Sequence, residues 1–225
     1  GTLGGPYEGD LSMHSLTYYD PVPDEMLPND DLDLQVVWLE NIKRNGLPVN
    51  RRSLAQSWRE NIYMWPDEYG VAVRNLTRGL YPPVSGNYDN KFTAGMGSAI
   101  RAEIWACLAP GDPELAVDLA REDACVDHDE EGIFATMFLA ALESLAFREN
   151  NKNKMLDTAL DFIPESSRVA QAITDTRKWW SDIKDWKKVR EKIVNNHAPQ
   201  NWTYVAPNLS FIVLGWLAGE GFSKS

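Results

Sequence analysis

Apolar residues recur along most of the chain with the spacing of α-helices. The first run holds Leu32, Val36, Leu39 and Ile42, three or four positions apart, and Gly46 ends it. The same spacing predicts further helices at residues 53–63, 67–76, 98–108, 112–124, 129–147, 153–162, 166–181, 185–195 and 208–218. A succession of short helices joined by turns predicts one compact all-α domain.

Two stretches lack this periodicity. Residues 1–28 are rich in Gly, Pro, Tyr and Asp, and residues 79–93 hold Pro82, Pro83 and Gly86 among several Asn and Asp residues. Both compositions are typical of loops. Because we find neither strand alternation nor an internal repeat, residues 1–225 are interpreted as a single domain.

The composition narrows the classes of partner. The chain has 225 residues, of which 44% are hydrophobic, enough for one sizeable core. Its net charge of −11 argues against nucleic acid as a partner, because backbone binding needs clustered Lys and Arg. We find no apolar run long enough to span a membrane. Cys107 and Cys125 lack the spacing of zinc or redox sites, so we expect buried free thiols.

A group of carboxylates stands at the start of the first predicted helix. Asp30, Asp31 and Asp33 follow Asn29, whose side-chain oxygen is expected to cap the helix. Carboxylates in a first turn are favoured by the helix dipole, so this segment alone is most simply interpreted as a well-capped surface helix. Adjacent carboxylates also offer the oxygen ligands that Mg²⁺ and Ca²⁺ prefer, which makes the segment a candidate metal site.

Two glycine-containing turns are candidate ligand-binding segments. Gly95 and Gly97 precede Ser98 at a predicted helix start, where exposed N–H groups and the helix dipole favour an anion or a phosphate. A glycine turn packed tightly on a neighbouring element is an equally good interpretation. Segment 3–9 (LGGPYEG) displays Glu8 from a second glycine-rich loop, which by itself is a weak signal.

The third candidate is His128, at the start of the helix predicted at 129–147. A charged His is disfavoured at a helix N-terminus, so we expect a neutral ring unless Asp127, Asp129 or Glu130 offsets the effect. A neutral imidazole can hydrogen-bond a ligand. The commoner alternative for a single His is a structural role, in which it caps the helix or satisfies a buried carbonyl.

Taken in order, these segments resemble the ADP-ribosylglycohydrolase family, of the dinitrogenase-reductase-activating glycohydrolase type. Segment 3–9 resembles the end of the family's opening Gly-Asp-Ala-Leu-Gly…Glu segment, and residues 29–31 stand where the family has Thr-Asp-Asp. Residues 95–102 (GMGSAIRA) are similar to the family's Gly-Asn-Gly-Ala-Ala-Met-Arg block. His128 is similar to the family's His before its Ala-rich helix.

The resemblance implies a compact, orthogonal multi-helix fold that hydrolyses an N- or O-glycosidic ADP-ribosyl bond at a two-magnesium site. Asp30 and Asp31 would be metal ligands and catalytic residues, with Asn29 as a weaker ligand through its amide oxygen. Glu8 would be a further catalytic residue near the metal-bound water or the scissile bond.

The same resemblance assigns the rest of the ligand. Gly97 and Ser98 would contact the diphosphate, and His128 would contact the distal part of ADP-ribose. The partner would be ADP-ribose or an ADP-ribosylated substrate, and the sequence leaves the linkage open.

Departures from the family pattern keep other functions open. The second acidic motif, Asp-x-Asp-Ser/Thr near the C-terminus, has no counterpart before Ser225, and the opening Gly-Asp is absent before Leu3. We therefore expect a domain truncated at both ends, or one that has lost a metal half-site. The preferred function is a magnesium-dependent hydrolase. The alternatives are a non-catalytic or vestigial module that binds ADP-ribose or a nucleotide, and a different glycosidase that uses Glu8 with the Asp pair.

Two observations concern location and surface. No signal peptide is visible, which predicts a cytoplasmic protein, although a removed leader stays open because the chain begins with Gly1 rather than Met. Trp179, Trp180 and Trp186 lie among lysines, which indicates either an interaction patch or, more commonly, the packing of an amphipathic helix.

Overall fold

The computed structural model describes residues 29–63, 67–198 and 203–219, so Glu8 lies outside the described residues. Within those ranges the chain forms eleven α-helices and no β-sheet, which confirms the all-α prediction. The helices are α1 (Asp30–Asn45), α2 (Arg51–Asn61), α3 (Asp67–Thr77), α4 (Val84–Asn87), α5 (Glu103–Leu108), α6 (Pro113–Ala124), α7 (Glu131–Leu145), α8 (Lys152–Leu160), α9 (Arg168–Ile183), α10 (Trp186–His197) and α11 (Val205–Ala218). None of the helices found there is long and apolar enough to cross a membrane.

Helices α6 and α7 form the centre of the molecule and make its most extensive helix–helix contact. Asp112 begins α6 as predicted, because its side chain accepts a hydrogen bond from the Leu115 amide at 3.2 Å and Pro113 occupies the first position. Helix α7 is apolar around most of its circumference, so it is buried, and α5, α8, α9 and α11 also pack against it.

Helix α1 buries a different face from the one that its apolar spacing indicates. Leu32 and Val36 are 50% and 63% exposed, whereas Leu34 and Trp38 are buried. The buried face includes Trp38, whose ring packs against that of Trp58 in α2 with centroids 5.9 Å apart. An indole buries more apolar area than any aliphatic side chain in this helix, so its position outweighs the aliphatic spacing.

Residues 79–93 are not wholly a surface loop, as their composition predicted. They contain the short helix α4, in which the buried Ser85 donates a hydrogen bond to the Val126 carbonyl at 2.7 Å. A Cβ at Gly86 would lie 2.3 Å from the backbone oxygen of His128. This glycine therefore lets α4 approach the segment that carries His128.

Two smaller predictions are corrected. The helix predicted at 98–108 is split into a 3₁₀ turn (Ala99–Arg101) and the short helix α5. Cys107 is exposed rather than buried. Cys125 is a buried free thiol as expected, and burial raises its pKa to about 12, so it is unreactive at neutral pH.

Helix α10 packs mainly on α9 and α11 rather than on the central pair. Val189, Ile193 and Leu214 form a small apolar cluster there, separate from the main core. Trp179 and Trp180 cover its edge. Much of the surface of α9 and α10 therefore belongs to a peripheral layer of the domain.

The two faces of α1 give a matched test of which side is packed. We expect Leu34→Ala to lower the free energy of unfolding by about 2–5 kcal/mol, because it leaves a cavity in the core. Leu32→Ala, two positions earlier on the exposed face, should change it by less than about 0.5 kcal/mol. Urea unfolding of both variants measures the difference, and equal losses would contradict the assigned face.

Candidate functional site

A cleft with a volume of about 300 Å³ lies where the N-termini of α1 and α3 meet the glycine turn before residue 98 and the start of α11. Four of the side chains around it are carboxylates, and three more carry a hydroxyl or an amide. The lining residues are Asp30, Asp31, Asp67, Glu68, Tyr69, Met96, Gly97, Ile100, Thr203 and Asn208. The cleft therefore brings together Asp30, Asp31 and Gly97, three of the residues that the sequence singled out.

Asp30 and Asp31 are the first two residues of α1, where the helix dipole favours negative charge. The Tyr69 hydroxyl donates a hydrogen bond to Oδ2 of Asp30 at 3.0 Å, which fixes that carboxylate at the cleft wall. Burial, and then the neighbouring charge of Asp30, raise the pKa of Asp31. A cation in the cleft would relieve both effects.

Asn29 occupies the N-cap position of α1, but its side chain makes no capping hydrogen bond, so the predicted cap is wrong. Its backbone N–H instead donates to the Asp33 carboxylate at 3.2 Å. The Asn29 side chain lies near Asp31, where it opposes the rise in the pKa of that carboxylate. The amide therefore belongs to the surroundings of the Asp pair.

Sequence reasoning missed Asp67 and Glu68, which begin α3 and face the same cleft. Burial, and then the charge of Glu68, raise the pKa of Asp67. Glu68 is itself buried and accepts a hydrogen bond from the Gly97 amide at 3.2 Å. In the sequence the pair looks like ordinary acidic residues of a first helical turn, and no local signal distinguishes it.

Gly97 is where α3 and the glycine turn come closest. A Cβ there would lie 2.2 Å from Oε1 of Glu68 and 2.9 Å from the Tyr69 hydroxyl. Only glycine fits this approach. The interpretation of the turn as tightly packed against a neighbour is therefore confirmed at Gly97, which also lines the cleft. Anion binding by the turn stays a prediction.

Ser98 lies directly behind this turn and is fully buried. Its hydroxyl accepts a hydrogen bond from Oγ1 of Thr136 in α7 at 2.7 Å. It is also 3.4 Å from the Gly132 carbonyl, to which it donates. Among the described contacts, the side chain of Ser98 therefore ties the turn to α7.

Arg101 is the central cation beneath the cleft and is fully buried. Its guanidinium pairs with Asp123 at 2.9 Å and with Asp127 at 2.7 Å, and it donates to the Gly97 carbonyl at 2.8 Å. The indole N–H of Trp105 donates to the second oxygen of Asp123 at 2.9 Å. The sequence marked Arg101 only as part of a motif, and its role in fixing Gly97 is visible only in the fold.

His128 continues this network toward the cleft and is fully buried. Its Nδ1 lies 2.9 Å from Oδ1 of Asp127 and its Nε2 lies 3.5 Å from Oε1 of Glu68. Neither contact has hydrogen-bond geometry, so both act as ion pairs. Burial disfavours the imidazolium, but the charges of Asp127 and Glu68 outweigh it and raise the pKa of His128 to about 9.

The ring is therefore charged at neutral pH. From the sequence, a charged His128 was expected only if an adjacent carboxylate offset the positive end of the helix dipole. Asp127 provides this offset. Burial by itself would raise the pKa of Asp127, but the charges of Arg101 and His128 outweigh burial and lower that pKa to about 2. The remaining counter-charge comes from Glu68, far away in sequence.

A second cleft, with a volume of about 690 Å³, lies beside the first. Gly95 pairs with Tyr204 in an isolated β-bridge, between the residues that line the two clefts. Glu131 lies on its wall and accepts hydrogen bonds from the backbone amides of Arg168 and Val169, which begin α9. The second cleft thus has a partly polar lining, in which Glu131 is joined to the start of α9 by hydrogen bonds.

The metal site around Asp30 and Asp31 stays a prediction. No group of three or more His, Cys, Asp or Glu side chains is arranged to hold a metal ion in the part of the chain that the structure describes. Asp30 and Asp31 share the lining of the cleft with the oxygen-bearing side chains of Thr203 and Asn208.

The charge of His128 predicts a pH dependence of stability. Because the folded pKa of about 9 exceeds the value of 6.5 for a free imidazole, the charged ring stabilises the fold below pH 6.5. This contribution, about 3 kcal/mol, is lost as the pH rises through about 9. His128→Gln should lack it, so the free energies of unfolding of the two proteins should converge between pH 6.5 and 9.5. Parallel curves in urea titrations would contradict the charged ring.

Comparisons with known proteins identify the family of this chain. A family model described as ADP-ribosylglycohydrolase matches residues 1–225. Neither the curated proteins nor the solved structures gave a match. Since the family model covers the whole chain and the fold is all-α, this chain belongs to the ADP-ribosylglycohydrolase family.

Proposed function

We propose that this chain hydrolyses a glycosidic bond to ADP-ribose in the carboxylate-lined cleft, with the help of magnesium. The observation that carries the proposal is the convergence of Asp30, Asp31, Glu68 and Gly97 on one cleft of the family fold. The match to the family supports glycosidic-bond hydrolysis as the reaction class. The ion and the roles of individual residues are proposed from the chemistry of the lining.

The lining fits a hard cation. Asp30 and Asp31 offer carboxylate oxygens, which hard cations prefer as ligands. Thr203 and Asn208 add oxygen-bearing side chains to the lining. Burial raises the pKa of Asp31, and a bound cation would offset that rise. We propose that Asp30 and Asp31 hold magnesium, and that the Asn29 amide supports Asp31. The bound ion would supply a positive charge that orients the ribose hydroxyls.

The carboxylates also suit the charge that develops during the reaction. Departure of the leaving group from the anomeric carbon builds positive charge on the sugar ring, which nearby carboxylates stabilise. Glu68 is positioned for this role, because the Gly97 amide fixes its Oε1. Glu8, which the family resemblance assigns to the scissile bond, remains a proposed catalytic residue.

His128 reaches the cleft through Glu68, its neighbour on the cleft side. We propose that the imidazolium, 3.5 Å from Oε1 of Glu68, holds that carboxylate in place beside the cleft, so that His128 is a positioning residue. Gly97 would contact the diphosphate, because it lines the cleft and carries no side chain. Ser98 would contribute by holding the turn against α7.

Substitutions in the first turn of α1 test the catalytic proposal with an internal control. We expect Asp30→Asn and Asp31→Asn each to lower kcat for ADP-ribose release by about a hundredfold or more, because each removes a charge that would hold the ion. Asp33→Asn changes a carboxylate of the same helix that does not line the cleft. This substitution should lower kcat by less than about threefold. Unchanged turnover in both cleft variants would refute the assignment.

Calorimetric titration of ADP-ribose separates a working site from a vestigial one. We expect binding in magnesium and its loss in EDTA, because the Asp pair would otherwise repel the diphosphate. Asp31→Asn should weaken the magnesium-dependent binding. Equal binding in both buffers would favour the non-catalytic nucleotide-binding module, and release of free sugars from other glycosides would favour a different glycosidase.

A further inference from the structure

The basic residues of this acidic chain are concentrated on one surface. Residues 177–192, here called the basic face, hold seven Lys or Arg and three Asp or Glu. Their net charge is +4, which leaves −15 for the rest of the chain. The face comprises the C-terminal half of α9, the turn at Lys184 and most of α10.

The lysines of the basic face are exposed and lie over aromatic rings. Lys184 lies 5.0 Å from the ring centroid of Trp180, and Lys187 lies 5.6 Å from that of Trp186. Lys192 lies 5.5 Å from that of Trp179. No carboxylate of the described residues forms a salt bridge with these three ammonium groups. The three rings therefore hold, at the surface, three ammonium groups that no carboxylate of the described residues neutralises.

Packing of the domain accounts for Trp179 and Trp180, which cover the edge of the small apolar cluster, but it does not account for Trp186. Only Val189 and Ile193 of α10 are buried, and they belong to the small apolar cluster at the periphery. Trp186 is 46% exposed and outside that cluster. An amphipathic helix buries its aromatic side chains against the protein, whereas this one presents Trp186 to solvent beside Lys187.

From these contacts we infer that the basic face is a docking surface for a short acidic segment of a partner protein. The carboxylates of the partner segment can pair with the three ammonium groups, while the methylene groups of its acidic side chains pack on the ring of Trp186. A short segment also fits the charge distribution. An extended anionic body, such as a bilayer or a nucleic acid, would additionally be repelled by the rest of the chain, whose net charge is −15.

The face is continuous with the larger cleft. The rings of Trp179 and His197 lie 5.6 Å apart, and His197 lines the 690 Å³ cleft together with Asn195 and Asn196. A segment docked on the basic face can therefore extend toward the candidate site. The inference itself concerns binding alone and is independent of the proposed hydrolysis.

A labelled peptide of alternating Glu and Gly is the probe, and its binding is followed by fluorescence anisotropy at low salt. We expect the triple variant Lys184→Glu, Lys187→Glu and Lys192→Glu to lower the affinity by about tenfold or more. The same residues changed to Gln should lower it less, and this milder variant guards against misfolding. Circular dichroism verifies that each variant keeps its helices.

The matched control, Lys43→Glu with Arg52→Glu and Arg59→Glu, makes the same change in net charge on exposed positions of α1 and α2. It should change the affinity by less than about twofold. Equal losses in both triple variants, absence of peptide binding to the unaltered chain, or equal binding of a Lys-Gly peptide would overturn the inference. So would preferential binding of phosphatidylserine vesicles or of an oligonucleotide through the basic face.

Discussion

The buried guanidinium of Arg101 is the interaction on which the site depends. A charge that is removed from water is costly unless several partners offset it, and Arg101 has two carboxylates, a carbonyl and the ring faces of Trp38 and Trp58. Its partners come from α1, α2, the glycine turn, α6 and the segment that follows α6. Each of these elements is therefore held in register with the others through one side chain.

Charges alternate from this core to the cleft. The order Arg101, Asp127, His128, Glu68 runs from positive to negative twice and ends at a carboxylate beside Gly97. The alternation places the positively charged His128 ring next to the buried Glu68, close to Asp67 and the Asp pair. Carboxylates that would otherwise repel one another can thus share a small cleft.

Charge is also segregated across the whole domain. The cleft at the start of α1 is lined by carboxylates, whereas the outer layer formed by α9 and α10 is basic. The outer part of this layer packs on a separate apolar cluster, whereas the first half of α9 belongs to the main core around α7. Such a division gives one acidic chain two surfaces with opposite electrostatic preferences.

The sequence by itself determined the all-α class, most helix positions, the Asp pair at a helix start and the family. These depend on local spacing and on ordered motifs, which act over a few residues. The tertiary structure alone decided the buried face of α1, the partners of Arg101 and the place of Glu68 in the cleft. Tyr69 meets Asp30 across 39 positions and Gly97 meets Glu68 across 29, and such contacts leave no periodic signal. They arise because packing large aromatic rings and pairing buried charges are properties of the whole fold.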